Sequence, residues 1–150
     1  MDGDALNEKH LVFLVRDKRY ALPSKIISEV TVFEQVFPLP LIPDYILGII
    51  NRYSVPYALV DLGFLLFSDP SSAKKIIVLK EEMERIALLI DDITDIADLL
   101  PDKMIFTQQD EDNASSLVNA MFEWKDGPVL CLDAEELINR IKLELEQQTI

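Results

Sequence analysis

The stretch that decides the fold is residues 43–62, PDYILGIINRYSVPYALVDL. Fourteen of its twenty residues are apolar or aromatic with proline counted, yet Asn51, Arg52 and Ser54 sit together near the middle. "IINRY" and "VPYALVDL" are rich in β-branched and aromatic residues and read as two strands joined at that polar break. Pro43 stands near the first turn of a short helix that Gly48 ends. Asp61 is placed to cap a short helical turn over residues 62–66. The break at 51–54 has two readings: a turn whose Asn51 satisfies local backbone groups, or the polar lip of a binding surface.

Working outward, the same short-strand pattern repeats. "LVFLV" and "RYALP" flank the charged turn 16–19 as a hairpin. In "IISEVTVFEQVF", Ile27, Glu29 and Thr31 alternate with Ile26, Ser28, Val30 and Val32, so the two sets line opposite faces of a strand. Pro38, Pro40 and Pro43 make the next segment a connector, since proline donates nothing to a strand ladder. "SDPSS" at 68–72 is a turn-rich break that divides the chain into two lengths, each long enough for a small barrel. Beyond it, "IIVL" and "RIALLI" are strands around a charged loop. "DDITDIADLL" alternates imperfectly, "KMIF" is a short strand, and "TQQDEDNASS" is a polar loop. "LVNAMFEW" and "PVLCLD" form a hairpin across Lys125-Asp126-Gly127. Asp133, with Glu136 three residues on, opens a terminal helix whose apolar stripe is Leu137, Ile138, Ile141 and Leu145. The fold class is mostly β with one helix.

The chain carries 27 acidic against 14 basic residues, and its last fifty residues hold 11 acids against 4 bases. Nucleic acid and anionic membrane surfaces both demand the opposite charge. No apolar run reaches the ~20 residues that span a bilayer, and no cationic leader opens the chain, so a soluble cytoplasmic protein is expected. The single Cys131 lies in an apolar run without a basic neighbour and reads as a buried thiol. The single His10 reads as a surface residue near a frayed end, which leaves no catalytic triad and no zinc site. Asp91, Asp92 and Asp95 lack the spacing of a calcium loop and read as a solvated turn. The few glycines stand too far apart to cradle phosphates. Neither catalysis nor a cofactor is expected.

Four segments in order carry a resemblance. They are "RYALPSKIISEV", then Pro43…Tyr45-Ile46-x-Gly48-Ile49-Ile50-Asn51 with Val60-Asp61-Leu62 closing it, then "IALLIDDITDI", then "GPVLCLDAEELI". Together they are similar to the CheW-like family of chemotaxis adaptors, over about residues 11–141. The resemblance implies one domain spanning the chain, built of two intertwined SH3-like five-stranded β-barrels with a C-terminal helix at about 133–147. The first lobe would cover about 20–66 and the second about 74–132, with strand exchange between them. It implies a non-catalytic scaffold coupling the cytoplasmic tip of chemoreceptors to the regulatory domain of a histidine kinase, within membrane-associated arrays. Other CheW-like domains are further expected partners. The alternative is a self-associating, ring-forming adaptor that binds kinase or related domains without conventional receptors. The implied kinase contacts are Ile27, Glu29, Val30, Phe37 and Leu41; the implied receptor contacts are Asn51, Arg52, Tyr53 and Ser54. Gly48, Asp61 and Asp91 are expected to be structural. Where the family usually has Asn-Leu-Arg-Gly, this chain has Asn51-Arg52-Tyr53-Ser54, so its receptor-facing turn departs from the family pattern more than its fold markers do.

Overall fold

The structure is a computed structural model and describes residues 8–33, 35–70, 73–106 and 117–148. Eleven strands and two α-helices occur among them. β1 (Glu8–Val15) and β2 (Lys18–Pro23) form the first hairpin, across Arg16 and Asp17, both at positive φ. A 3₁₀ turn at Ser24–Ile26 leads into β3 (Ile27–Val32). Ile26 belongs to that turn, which is why the apolar pair Ile26-Ile27 breaks the alternation. β4 (Ile46–Arg52) and β5 (Val55–Asp61) are the strands of the decisive stretch. The short helix expected before β4 is replaced by a turn, in which Ile46 N donates to Pro43 O at 3.0 Å. Asp61 caps α1 (Leu62–Phe67), its Oδ1 accepting from Phe64 N at 3.1 Å.

β6 (Lys75–Leu79), β7 (Ile86–Ile90), β8 (Asp92–Leu99), the two-residue β9 (Ile105–Phe106), β10 (Val118–Glu123) and β11 (Pro128–Leu132) follow, and α2 (Ala134–Gln148) ends the chain. The imperfect pattern of "DDITDIADLL" is a bulge: the register of β8 on β1 shifts between Val12 and Phe13. The polar loop expected at 107–116 lies outside the described residues.

The strands make a five-stranded sheet, β3-β6-β7-β5-β4, and a six-stranded sheet, β8-β1-β2-β11-β10-β9. This corrects the expected lobe boundaries. The break at 68–72 does not separate the sheets, because β6 pairs with β3, and β7 pairs in parallel with β5. One lobe is therefore a continuous length from β3 to β7. The other combines both ends of the chain, β1 and β2 with β8 to β11. Strand pairing closes neither sheet, and side chains bridge the open sides instead. In the six-stranded sheet, Asp95 on β8 accepts from Trp124 Nε1 at 2.9 Å and meets Lys125 Nζ at 2.7 Å. These contacts hold the Asp95 carboxyl below its usual range.

The main core lies between the sheets and under α2. Phe13, Leu22, Leu62, Leu88, Leu117 and Ile141 are fully buried there. Leu137 and Ile138 are buried and Leu145 packs partly against them, so the stripe of α2 faces the body of the protein. Smaller cores fill the face of each sheet turned away from the main core. His10 is not at the surface. It lies in β1, 3% exposed, against the ring of Phe122, and burial lowers its pKa. Cys131 is buried as its sequence suggests, and desolvation pushes its thiol up to about 12. Among the described residues, no helix is long and apolar enough to cross a membrane.

Candidate functional site: the margin of the five-stranded sheet

The two strands of the decisive stretch meet in a two-residue turn. Tyr53 and Ser54 have φ of 53° and 68°, while Arg52 pairs with Val55. Both central residues at positive φ is the turn geometry that matches strand twist, and it normally selects Asn-Gly or Asp-Gly. A tyrosine and a serine hold it here at a conformational cost. The result is a projecting aromatic: Tyr53 is 84% exposed, with the Arg52 guanidinium 5.4 Å from its ring centre.

Arg52 itself turns inward. Its Nη2 donates to Glu29 Oε1 at 2.8 Å and its Nε to Glu29 Oε2 at 3.3 Å. This two-point fork joins β4 to β3, the two margins of the five-stranded sheet. The side chains are 16% and 25% exposed, so the pair is largely shielded from water. The chain after β3 covers part of the same gap. Phe37 and Ile49 exchange backbone hydrogen bonds, both 2.8 Å, which lays the proline-rich connector along β4. Gly48 permits that approach: at its φ of 142°, an added Cβ would stand 2.3 Å from Phe37 O.

The connector and the outer face of β3 are unusually apolar for a surface. Val30, Val32, Phe33, Phe37, Leu39 and Leu41 are all exposed, Leu41 at 74% and with φ of 58°. Of the residues expected at a kinase contact, Val30, Phe37 and Leu41 stand on this surface. Ile27 is half-buried against the main core, and Glu29 is engaged with Arg52. Of those expected at a receptor contact, Asn51, Tyr53 and Ser54 are exposed and Arg52 is not. The geometry brings both groups onto one lobe, tied together by Glu29 and Arg52. Sequence reasoning overlooked Val32 and Phe33. The signal was present for Val32, since strand alternation puts it on the same face as Val30.

The residues expected to be structural have identifiable partners. Asp61 is buried at the start of α1. Asp91 lies between β7 and β8, its Oδ2 accepting from Arg16 N at 2.7 Å while its own N donates to Leu14 O at 3.0 Å. It thereby fastens the crossing between the sheets to the first hairpin. Among the described residues, no group of histidine, cysteine or acidic side chains is arranged to hold a metal.

The family model described as "CheW-like domain" matches residues 9–142. Comparison with curated proteins gave no match. Among solved structures, the chain is similar to the scaffolding protein TtCheW from Thermoanaerobacter tengcongensis, with a TM-score of 0.74. The two share 17% identity, and the match covers 84% of each chain.

Proposed function

The chain belongs to the CheW-like domain family, and from that premise we propose that it is a non-catalytic adaptor coupling chemoreceptors to a chemotaxis histidine kinase. The observation that carries the reading is the apolar surface on the margin of the five-stranded sheet, from Val30 to Leu41. Contiguous exposed apolar side chains of this kind mark contact surfaces, and polar groups at their rim fix orientation. The Phe37–Ile49 bonds and Gly48 hold the connector in place before any partner arrives, which lowers the ordering cost of binding. This surface takes the kinase's regulatory domain. Tyr53 and Ser54, at the projecting turn beside it, face the receptor tip. Recruitment to a membrane-associated array then follows from the partners, without insertion of this chain.

Calorimetry with the kinase's regulatory domain tests the reading. Val32→Glu and Leu41→Glu each place a charge on the proposed contact at exposed positions, so binding should weaken about tenfold or more with the fold intact. Unchanged affinity for both variants would move the contact elsewhere.

Self-association through strand edges has less support at β8. There Ile93 N and Ile96 N donate to the carboxylates of Asp92 and Asp95, at 2.9 and 3.0 Å. An edge with two donors already occupied and with acidic side chains at Asp92, Asp95 and Asp98 resists pairing with a second copy.

A further inference from the structure

The six-stranded sheet carries its own exposed apolar groups, away from the margin described above. Leu100 and Ile105 are 42% and 58% exposed, and they line one cleft with the ring of Trp124. The rim of that cleft holds Asp98, Asp102 and Glu123 against a single base, Lys103. None of these three acids has an ion-pair partner among the described residues. Asp95 is already taken by Trp124 and Lys125, and it fixes the indole that forms one wall.

We infer that this cleft docks an amphipathic helix of a partner protein, one with aliphatic side chains flanked by Lys or Arg. The apolar floor accepts the aliphatic residues, and the rim carboxylates, which outnumber Lys103 and the Lys9 that stands opposite Asp98 on β1, attract and orient the basic ones. Strand addition is opposed at the neighbouring stretch of β8, where the Asp92 and Asp95 carboxylates accept from the N–H groups of Ile93 and Ile96. The inference goes beyond the adaptor reading, since the cleft lies on the other sheet and shares no residue with the Val30–Leu41 surface.

Trp124 is the only tryptophan in the chain, so intrinsic fluorescence of the full-length protein reports on the cleft directly. The probes are a synthetic amphipathic helix of leucine and lysine, and its counterpart of leucine and glutamate. A saturable fluorescence change is expected with the lysine peptide only. Asp98→Lys combined with Glu123→Lys should weaken it about tenfold. Glu81→Lys combined with Glu82→Lys makes the same change in net charge on the β6–β7 turn and should leave it within about twofold. If the first double variant is misfolded by circular dichroism, Asp98→Asn with Glu123→Gln replaces it, with a loss of about threefold. Equal weakening by the cleft and β6–β7 variants would reduce the effect to general attraction to an acidic protein and overturn the inference. So would a flat titration, or an equal response to both peptides. Val32→Glu and Leu41→Glu should leave this signal unchanged, which separates its failure from failure of the kinase contact.

Discussion

Removing the charge at Glu29 should loosen the five-stranded sheet where the Glu29–Arg52 pair joins its two margins. The Arg52 fork makes two contacts, at 2.8 and 3.3 Å, and both side chains are mostly shielded from water. A fully exposed pair contributes about 0.2–1 kcal/mol, and breaking a fully buried one costs about 3–5 kcal/mol. Shielding of this degree, with two-point geometry, places Glu29→Gln at roughly 1–2.5 kcal/mol. Glu29→Lys sets a second cation against Arg52 and should cost more. Charge reversal at Glu29 is consequently a poor probe of partner binding, although the sequence alone makes it the natural choice. Urea unfolding of wild type, Glu29→Gln, Arg52→Gln and the double variant closes a thermodynamic cycle. The expected coupling is about 1 kcal/mol or more, and salt should reduce it only modestly because the pair is shielded. A coupling below about 0.3 kcal/mol would show that the fork is incidental and that the connector alone holds the margin.

Other perturbations probe separate parts of the fold. Gly48→Ala meets the Phe37 carbonyl at a φ that L-residues avoid, so a loss above about 3 kcal/mol is expected in the same urea assay. Ile141→Ala removes a fully buried side chain of α2, and differential scanning calorimetry should register a loss of about 2–5 kcal/mol. Asp95 has a folded pKa lowered by Lys125 and Trp124. Its contribution to stability is therefore present above the unfolded carboxylate value near ~4 and lost as pH falls through the lower folded value. Asp95→Asn should flatten the acid limb of the stability profile below about pH 4, measured by urea midpoints across that range.

Much of the fold was legible from local chemistry. The hairpins, the Asp61 cap, the terminal helix and its buried stripe follow from alternation, turn residues and capping, all of which act within a few residues. The pairing partners were not legible. A proline- and serine-rich break at 68–72 looks like a domain boundary, yet β6 and β7 return to β3 and β5 through contacts that no local pattern encodes. The same limit explains His10. Next to a polar terminus it looks exposed, but pairing of β1 with both β2 and β8 buries it. At the candidate site, Asn51 to Ser54 were recognisable as a polar interruption. That Arg52 would leave the lip for Glu29, while Tyr53 projects from a glycine-type turn, depends on two strands far apart in sequence meeting at the sheet margin.

The adaptor reading is tested most directly by asking whether one molecule of this protein bridges its two proposed partners. Analytical ultracentrifugation of the protein with a chemoreceptor cytoplasmic fragment and the kinase's regulatory domain, singly and together, gives the answer. A ternary species that forms only when all three are present is the predicted result. It should be lost with Val32→Glu, on the kinase side, and with Tyr53→Asp, on the receptor side, while each variant keeps its other binary complex. If each partner excludes the other, or neither binds, the protein does not couple receptor to kinase.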